Sequence, residues 1–290
     1  MVTFSQDNRR GKFHCDLGKD ALCLLRFHGT DHYSDLFTYR AEVVSNTVNI
    51  DLDQLLGTMG SVSIQDRKES PVWFTGIITD AAWSGTYMNG VRYEVTMRPW
   101  FWMAGRRRNQ RIFHEMTVLA ILEKVLEPYG GFSASHVEFQ ISTNPTLEYT
   151  VQYRESDLAF ACRLMERFGI GYFFTHSDTG HTMVVTDQVE AHPAIAGGTR
   201  KYQGLQTQHR LDEERFWNFK PGRTITTGSV RLTDYNFKEP GLSLEVEQAR
   251  PLPYTGSDQE SFDYPGDYLD PGTGRSRAGL RVDQERTGGA

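Results

Sequence analysis

Alternating apolar and polar residues predict antiparallel β-structure over the first hundred residues of the chain. One apolar strand face is formed by Phe37, Tyr39, Ala41 and Val43. A second apolar strand face is formed by Val91, Tyr93, Val95 and Met97. The preceding Asn89-Gly90 pair predicts a two-residue type I′ hairpin loop, because both residues tolerate positive φ. One buried and one wet face are typical of an antiparallel sheet or a barrel wall.

The middle of the chain changes to a mixture of helices and strands. Helical spacing of apolar residues predicts one helix over 117–126, with Thr117 as its N-cap. A second helix is predicted after Ser156, with Asp157 in its first turn, where the helix dipole favours a negative charge. The predicted core stripe of this helix consists of Leu158, Ala161, Cys162, Met165 and Phe168. A predicted hairpin over 170–187 completes a compact α+β unit.

From about residue 196 the chain is β-rich again. Strands are predicted over 224–237 and 242–246, joined through Pro240-Gly241. The Gly/Pro-rich tail from Tyr264 has too little apolar content to form another core element by itself. The chain is therefore predicted to contain three blocks in the order β, α+β, β, over residues 1–105, 106–195 and 196–290. The hairpin of the second block could pack on the first block.

Composition and charge exclude several classes of protein. Hydrophobic residues make up 38% and charged residues 23% of the chain, which is typical of a soluble globular protein. No apolar run approaches the roughly 18–20 residues that span a bilayer, and no apolar signal region follows Arg9, Arg10 and Lys12. Synthesis and folding in the cytoplasm are therefore expected. The net charge of −6 argues against a general nucleic-acid binder.

Neither the cysteines nor the basic residues define a site. The chain has three cysteines, Cys15, Cys23 and Cys162. Because their number is odd and they lack C-x-x-C spacing, no disulfide framework or zinc ribbon is predicted. Cys23 and Cys162 are interpreted as small buried apolar residues. The basic run 106–108, followed by Arg111, fits a solvated loop with surface ion pairs better than an interface for an acidic partner. The sequence leaves both interpretations open.

No residue is predicted to be catalytic, cofactor-binding or metal-binding. His28 and His32 are four apart, but the Gly and Asp around them predict a strand end and loop instead of the helix that would bring two imidazoles together. His176 and His181 flank the predicted turn, and we interpret them as a cross-strand polar pair. The histidines without a nearby constellation are His114, His136, His192 and His209. The sequence contains no nucleophile elbow, phosphate-binding loop or zinc-protease motif, and it singles out no glycosidase carboxylate pair.

Four motifs, in the correct order, resemble the VgrG family of type VI secretion spike proteins, whose N-terminal region is related to the baseplate hub protein of contractile-tailed phages. The most specific is YTVQYRESDLAFACRLMERFGIGYFF over 149–174, followed by His176 and by HTMVVTD over 181–187. The others are RIF before the helix TVLAILEKVL, the opening series ALCLLRFHG, LFTYRAEVVS and LDQLLG, and the element FDYPGDY over 262–268. The resemblance covers nearly the whole chain.

The resemblance implies a mainly β fold with an α+β insertion, in which two antiparallel β-barrel domains of phage baseplate-hub type flank a small α+β domain. The first barrel would be 1–105, the α+β domain 106–195, and the second barrel, incomplete, 196–290. Three chains would bring six barrels into a ring of pseudo-sixfold symmetry that seats on the sixfold ring of the Hcp tube. Barrels suit this role because closure removes free sheet edges.

The implied function is that of a structural homotrimer and not of an enzyme, without cofactor, nucleic acid or small-molecule substrate. The hub would dock the spike on the Hcp tube and be carried out of the cell when the sheath contracts. Further implied partners are a downstream OB-fold domain and needle in the full-length protein, and effectors or a tip protein. The 290 residues do not include the needle, so the chain is expected to be a docking platform and not a piercing device.

Two alternative functions stay open on the sequence. The first is the homologous hub of a phage tail or prophage-derived contractile particle, which has the same chemistry. The second, less favoured, is a β-rich hydrolase or carbohydrate-acting protein, for which Trp100-Phe101-Trp102 would be a sugar-stacking platform. The position of this aromatic run beside Pro99 favours packing in a core or an interface instead.

Overall fold

The alternating segments of the first hundred residues form a six-stranded antiparallel sheet in a computed structural model of the chain. Its strands, in chain order, are β1 (Gly11–Cys15), β2 (Cys23–Thr30), β3 (Thr38–Ser45), β4 (Met59–Ile64), β5 (Val72–Tyr87) and β6 (Gly90–Arg98). Their spatial order is β1-β4-β5-β6-β3-β2. The two predicted apolar faces lie on the adjacent strands β3 and β6 or directly before β3, and they are confirmed because every member is buried.

The structure describes residues 3–65, 70–130, 135–194, 198–202, 215–216 and 218–287. The chain divides into two compact units, unit 1 (1–191) and unit 2 (192–290). The predicted boundary at 195/196 lies outside the described residues, and the three domain ranges stay predictions. Within the described ranges, no helix combines the length and the apolar character needed to cross a membrane.

The six-stranded sheet curls until its outer strands β1 and β2 approach each other. Gln6, which is buried, lies at the seam between them. Its Oε1 accepts the backbone N–H groups of Phe13, at 2.7 Å, and of Leu24, at 2.9 Å. Its side-chain amide donates to the carbonyl oxygen of Phe13 at 3.0 Å. One side chain therefore links the two edge strands of a curled half-barrel.

The β5–β6 hairpin lies where it was predicted, but its loop begins one residue earlier than Asn89-Gly90. Tyr87 pairs with Gly90, so the two loop residues are Met88 and Asn89, and Met88 adopts a φ of 51°. Gly90 begins strand β6 instead. A Cβ atom at Gly90 would lie 2.6 Å from the ring of Phe4. Glycine is needed here for close packing and not for positive φ.

The rest of unit 1 contains two helices, a two-stranded ribbon and a three-stranded sheet. The strands and helices, in chain order, are β7 (Arg108–Thr117), α1 (Val118–Leu126), β8 (Ser135–Gln140), β9 (Thr146–Ser156), α2 (Asp157–Arg167), β10 (Gly171–His176) and β11 (His181–Thr186). Four 3₁₀ helices are described in unit 1, namely Leu52–Gln54, Trp100–Arg106, Glu127–Tyr129 and Val189–Ala191. Strands β7 and β9 pair antiparallel, and β11 pairs antiparallel with β10 and parallel with β8. Strands β7–β11 and helices α1 and α2 share one hydrophobic core with the six-stranded sheet.

Both predicted N-caps are confirmed. The side-chain oxygens of Thr117 and Ser156 each accept a backbone N–H three residues later, as an N-cap does. The predicted core stripe of α2 is partly wrong. The buried residues of this helix are Asp157, Phe160, Ala161, Leu164 and Met165. The face that points inward is centred on Phe160, Ala161 and Leu164, while Leu158, Cys162 and Phe168 pack partly buried at its edge.

Unit 2 consists of short strands and one long helix. Its elements are β12 (Lys201–Tyr202), β13 (Arg215–Phe216), β14 (Ser229–Leu232), β15 (Val246–Ala249), β16 (Glu260–Asp263) and α3 (Pro271–Thr287). Strand β14 is central, antiparallel to β15 and parallel to β16, while β12 and β13 form a separate parallel pair. The strands predicted over 224–237 and 242–246 do pair, but both are shorter and the second begins at Val246.

Helix α3 contradicts the expectation that the tail adds no core element. Oδ1 of Asp270 accepts the backbone N–H groups of Gly272 and Thr273, which satisfies two donors at the start of the helix. Ala278 and Val282, four residues apart, lie on one face and are fully buried. They complete a core cluster with Val230, Leu232, Leu244, Val246 and Tyr268. The average composition of the tail did not indicate this contribution. Two apolar residues on one helix face are enough to complete the core, because the sheet provides the rest of its apolar surface.

Candidate assembly site

Two clusters of buried polar side chains lie in the core of unit 1, and the first surrounds the β10–β11 hairpin. His176 and His181 lie directly opposite each other across this hairpin, as predicted, with ring centroids 6.1 Å apart. Nδ1 of His176 lies 3.1 Å from the carbonyl oxygen of Thr75, and Nε2 lies 3.0 Å from the hydroxyl of Tyr39. The six-stranded sheet thus provides a partner for each ring nitrogen of His176.

His181 is the more deeply buried of the two histidines, at 2% exposure. Its Nε2 accepts the backbone N–H of Trp100 at 3.0 Å. The rings of Phe37 and Phe174 approach its imidazole edge-on, with centroids 5.4 and 5.9 Å away. Desolvation, reinforced by the neighbouring His176, lowers the pKa of His181 to about 3, so the imidazole is neutral at pH 7. A neutral buried imidazole that accepts a backbone N–H stabilises the fold.

This burial makes unit 1 sensitive to acid. Below its ordinary pKa of 6.5, His181 takes up a proton in the unfolded state but stays neutral in the native state down to about pH 3. Its contribution to stability is therefore complete well above pH 6.5 and declines as the pH falls through that value. Between pH 7.5 and pH 5 the expected loss is about 2 kcal/mol, measured by urea unfolding. His181→Gln, whose amide oxygen can accept the Trp100 N–H, should lose less. An equal loss in both proteins would contradict this assignment.

The second cluster is centred on the carboxylate of Asp157, which is fully buried. Its Oδ1 accepts hydrogen bonds from Nη2 of Arg111 at 2.6 Å and from Nε2 of Gln152 at 2.8 Å. Its Oδ2 accepts a hydrogen bond from the hydroxyl of Tyr129 at 2.8 Å, and burial, followed by this contact with the carboxylate, raises the pKa of the phenol. The cluster joins β7, β9, α2 and the turn after α1 at one point.

Sequence reasoning placed Asp157 at a helix N-terminus and missed its burial and its partners. The available signal was the register of the ribbon, since Arg111 on β7 lies opposite Gln152 on β9. Both side chains therefore point to the inner face, where the first residue of α2 also lies. That register depends on a bulge after Asn109, which the pattern of apolar residues does not reveal.

The solvated-loop interpretation of the basic cluster is wrong for Arg111 and incomplete for its neighbours. Arg111 binds the buried Asp157, and Nε of Arg107 lies 3.8 Å from the same carboxylate. The guanidinium of Arg106 lies over the ring of Trp102, 4.2 Å from its centroid. A buried carboxylate requires such partners because removing an unpaired charge from water costs several kcal/mol.

The aromatic run Trp100-Phe101-Trp102 packs in the core and offers no sugar-stacking platform. Trp100 and Phe101 are both buried. The guanidinium groups of Arg98 and Arg106 lie over the ring of the half-buried Trp102, 5.1 and 4.2 Å from its centroid. The packing interpretation is confirmed, and the carbohydrate-platform interpretation is wrong.

The remaining candidate groups are dispersed. The described histidines that lie at the surface are His14, His28, His32, His114, His136 and His192, and His209 lies outside the described residues. Across the described ranges, no three His, Cys, Asp or Glu side chains are grouped to hold a metal ion. Cys23 is fully buried as predicted, whereas Cys162 is only partly buried.

Unit 1 instead presents apolar β-surface to solvent. Ile112, Tyr149 and Tyr153 are exposed on the β7–β9 ribbon, and Trp83 and Met88 are exposed at the end of the β5–β6 hairpin. Large exposed apolar side chains grouped on regular structure are typical of protein–protein contact surfaces. The geometry therefore offers interfaces, while its buried polar groups serve the fold.

Comparison with known protein families decides what kind of assembly protein this is. Residues 30–290, nearly the whole chain, match the phage tail baseplate hub (GPD) family. The chain belongs to the phage tail baseplate hub family. This membership confirms the resemblance indicated by the four sequence motifs.

Relatives of this baseplate hub protein include type VI secretion spike proteins. Spike protein VgrG1a of Pseudomonas aeruginosa is 34% identical over 273 residues, which are 93% of this chain and 42% of that protein. VgrG1c of the same organism is 32% identical over 293 residues, 99% of this chain and 39% of that protein. The hub chain thus spans about two fifths of the length of these relatives.

Solved structures share the hub protein's fold. A tail protein from Neisseria meningitidis MC58 superposes with a TM-score of 0.63 at 13% identity, covering 97% of this chain and 78% of that one. The E. coli c3393 protein, a component of the type VI secretion system, superposes with a TM-score of 0.55 at 20% identity, covering 78% of this chain and 56% of that one. At these identities the likeness establishes the mainly β hub fold alone.

Proposed function

We propose that this chain is the hub segment of a type VI secretion spike, with a structural role. The observation that carries the proposal is the 34% and 32% identity to two spike proteins over at least 93% of the chain. The buried clusters around His181 and Asp157 support it, because the hydrogen bonds that they form run to the backbone or to side chains of the same core. Such groups stabilise a rigid building block.

The finer architecture of the hub is two antiparallel β-barrel domains, 1–105 and an incomplete second barrel over 196–290, flanking an α+β domain, 106–195. The curled six-stranded sheet with its Gln6 seam supports the first barrel. The contact between Phe37 of that sheet and Phe174 of β10, with ring centroids 5.1 Å apart, supports packing of the hairpin 170–187 on it.

Three copies of the hub form a homotrimer whose six barrels seat on the hexameric ring of the Hcp tube. Pseudo-sixfold symmetry resolves the mismatch between a threefold spike and a sixfold tube. In the longer protein, the ring carries the OB-fold domain and needle, and effectors or a tip protein bind beyond it. The hub assembles in the cytoplasm and leaves the cell through the secretion apparatus. The names of the related spike proteins support this placement.

No catalytic activity is proposed for this chain. One relative, the actin cross-linking toxin VgrG1 of Vibrio cholerae, is 26% identical over 295 residues, which cover 93% of this chain but 25% of the toxin. The shared region is thus a minor part of that protein, and spike proteins without a toxin name share the same region at higher identity.

A chimeric spike tests the hub function. Replacing the aligned segment of VgrG1a by this chain should preserve export of the spike, because the hub supplies docking and the relative supplies the remaining length. Immunoblots of culture medium from Pseudomonas aeruginosa measure export, and a strain without the contractile sheath gives the background. A soluble, full-length chimera that stays inside the cells at background level would refute the proposal.

The alternative is the hub of a phage tail or prophage-derived contractile particle. The observation that favours it is the fold match to the Neisseria meningitidis tail protein over 97% of the chain. The higher identity to spike proteins favours the secretion function. Contractile particles from the source bacterium that contain this chain together with capsid proteins would support the alternative.

A further inference from the structure

The β10–β11 hairpin meets the curled sheet at a gap in the hydrogen-bond ladder of that sheet. Strand β5 pairs with β4 from Val72 onwards, but its pairing with β6 begins only at Ile77. In this register Thr75 has no partner on β6. Instead, Nδ1 of His176 lies 3.2 Å from the amide nitrogen of Thr75 and 3.1 Å from its carbonyl oxygen. The imidazole thus takes the place of a neighbouring strand.

The Nδ1 atom of His176 can bind only one of these two backbone groups at a time. An unprotonated Nδ1 accepts the N–H of Thr75, whereas a protonated Nδ1 donates to the carbonyl oxygen. A neutral imidazole has one unprotonated nitrogen and an imidazolium has none, so the protonation of the ring decides which group is bound. Thr75 therefore offers the ring a partner in either state, and a different partner in each.

The other ring nitrogen of His176 is connected to a surface carboxylate through Tyr39. Nε2 lies 3.0 Å from the hydroxyl of Tyr39, and this hydroxyl donates to Oδ2 of the exposed Asp31 at 3.2 Å. We call His176, Tyr39 and Asp31 the relay. While the hydroxyl donates to Asp31, its oxygen accepts from His176, so Nε2 carries a proton. In the neutral ring, Nδ1 is then unprotonated and accepts the N–H of Thr75.

Burial opposes uptake of a proton at Nδ1 of His176, and the carboxylate of Asp31 assists it. Burial lowers the pKa of His176 below its ordinary value of 6.5, while the charge of Asp31 and the contact with Thr75 raise it. The facing imidazole, His181, stays neutral because its own pKa is about 3. Phe37, whose ring packs against His176, carries no charge. Between pH 6.5 and pH 3, His176 is therefore the group of this joint that changes charge.

We propose that His176 is a proton-operated switch in the joint between the hairpin and the curled sheet. The neutral ring holds the N–H of Thr75, whereas the imidazolium, with Asp31 as its counter-charge, holds the carbonyl oxygen and releases the N–H. Protonation does not detach the hairpin, because the Thr75 hydroxyl donates to the carbonyl oxygen of Ser177 at 2.6 Å in either state. Acid thus loosens the start of β5 while the hairpin stays docked. The switch belongs to the fold of unit 1 and is independent of the proposed hub function.

Amide hydrogen exchange, followed by NMR between pH 7.5 and pH 4.5, tests release of the Thr75 N–H. Rates are expressed as protection relative to an unstructured peptide, which removes the intrinsic pH dependence of exchange. As His176 takes up its proton, protection of the Thr75 amide should fall about tenfold or more. The amide of Ile78, on the same strand, donates to the carbonyl oxygen of Thr58 at 2.9 Å and should change less than about twofold. His176→Gln, which offers an amide oxygen to Thr75 but does not titrate, should abolish the pH dependence.

Nitrogen-15 chemical shifts of the histidine rings test the relay and should show the proton of neutral His176 on Nε2. Asp31→Asn keeps an acceptor oxygen but removes the charge, so His176 should bind its second proton about threefold or more weakly. Asp53→Asn, which removes an exposed carboxylate outside the relay, should change proton binding less than about twofold. A neutral ring with its proton on Nδ1, or a ring that stays neutral until the chain unfolds, would overturn the switch. Equal effects of the two variants, or an equal loss of protection at Ile78, would do the same.

Discussion

Replacing Asp157 by alanine is expected to lower the free energy of unfolding of unit 1 by about 3 kcal/mol or more. The substitution removes a fully buried carboxylate and leaves its donors behind: the guanidinium of Arg111, the amide of Gln152 and the hydroxyl of Tyr129. The side chain of Arg111 is only 22% exposed, so water cannot fully replace its lost partner. Chemical denaturation followed by tryptophan fluorescence measures the change.

Asp80→Ala is the matched control for this prediction. Asp80 also binds an arginine, Arg98, but its side chain is 62% exposed. Exposed ion pairs contribute between about 0 and 1 kcal/mol, so the control should lose no more than that. Similar losses in the two variants would show that Asp157 behaves as an ordinary surface carboxylate. The β7–β9 ribbon would then lack its support from the buried carboxylate to which Arg111 and Gln152 bind.

Local chemistry made much of the fold predictable. Strand faces follow from period-two alternation, and residues such as Val95 and Met97 are buried where the pattern placed them. The N-caps Thr117 and Ser156 were recognisable because the capping hydrogen bond closes within three residues. These signals lie within one element, so a single sequence contains all of the information that they require.

The buried polar clusters could not be predicted, because their partners are far apart in sequence. Asp157 lies 46 residues from Arg111, and the pair forms only when β7 and β9 adopt their bulged register. The hairpin loop was misplaced for a related reason, since Gly90 is fixed by packing against Phe4, a residue far away in the chain.

The exposed apolar face of the β7–β9 ribbon could not be predicted from the sequence for a different reason. Exposed Ile112 and Tyr149 belong to alternating strand patterns, and alternation alone does not say which of two mixed faces is covered. The outer face of the ribbon can be identified because Arg111 and Gln152 point inward and bind Asp157. These are tertiary contacts, which the alternation of one strand does not reveal.

The second large expected effect is a loss of stability when Gln6, at the seam between β1 and β2, is replaced by alanine. Gln6→Ala removes three hydrogen bonds at once and leaves the N–H groups of Phe13 and Leu24 and the carbonyl of Phe13 without their partner. Each buried polar group left unsatisfied costs about 1–3 kcal/mol, so a loss of roughly 3 kcal/mol or more is expected. Hydrogen exchange should also show faster exchange of the Phe13 and Leu24 amides than in the parent chain, while the amides of β6 stay protected.

Gln54→Ala is the matched control, because it removes a glutamine side chain that lies outside the seam between β1 and β2. Gln54 is exposed, and its side-chain amide donates to Asp51 at 3.2 Å in the turn after β3. Its removal should cost less than about 0.5 kcal/mol, as for other surface substitutions. If the Phe13 and Leu24 amides remain as protected in Gln6→Ala as in the parent, β1 and β2 are held together without Gln6. If these amides exchange faster, the Gln6 side chain holds together the outer strands β1 and β2, which do not pair with each other.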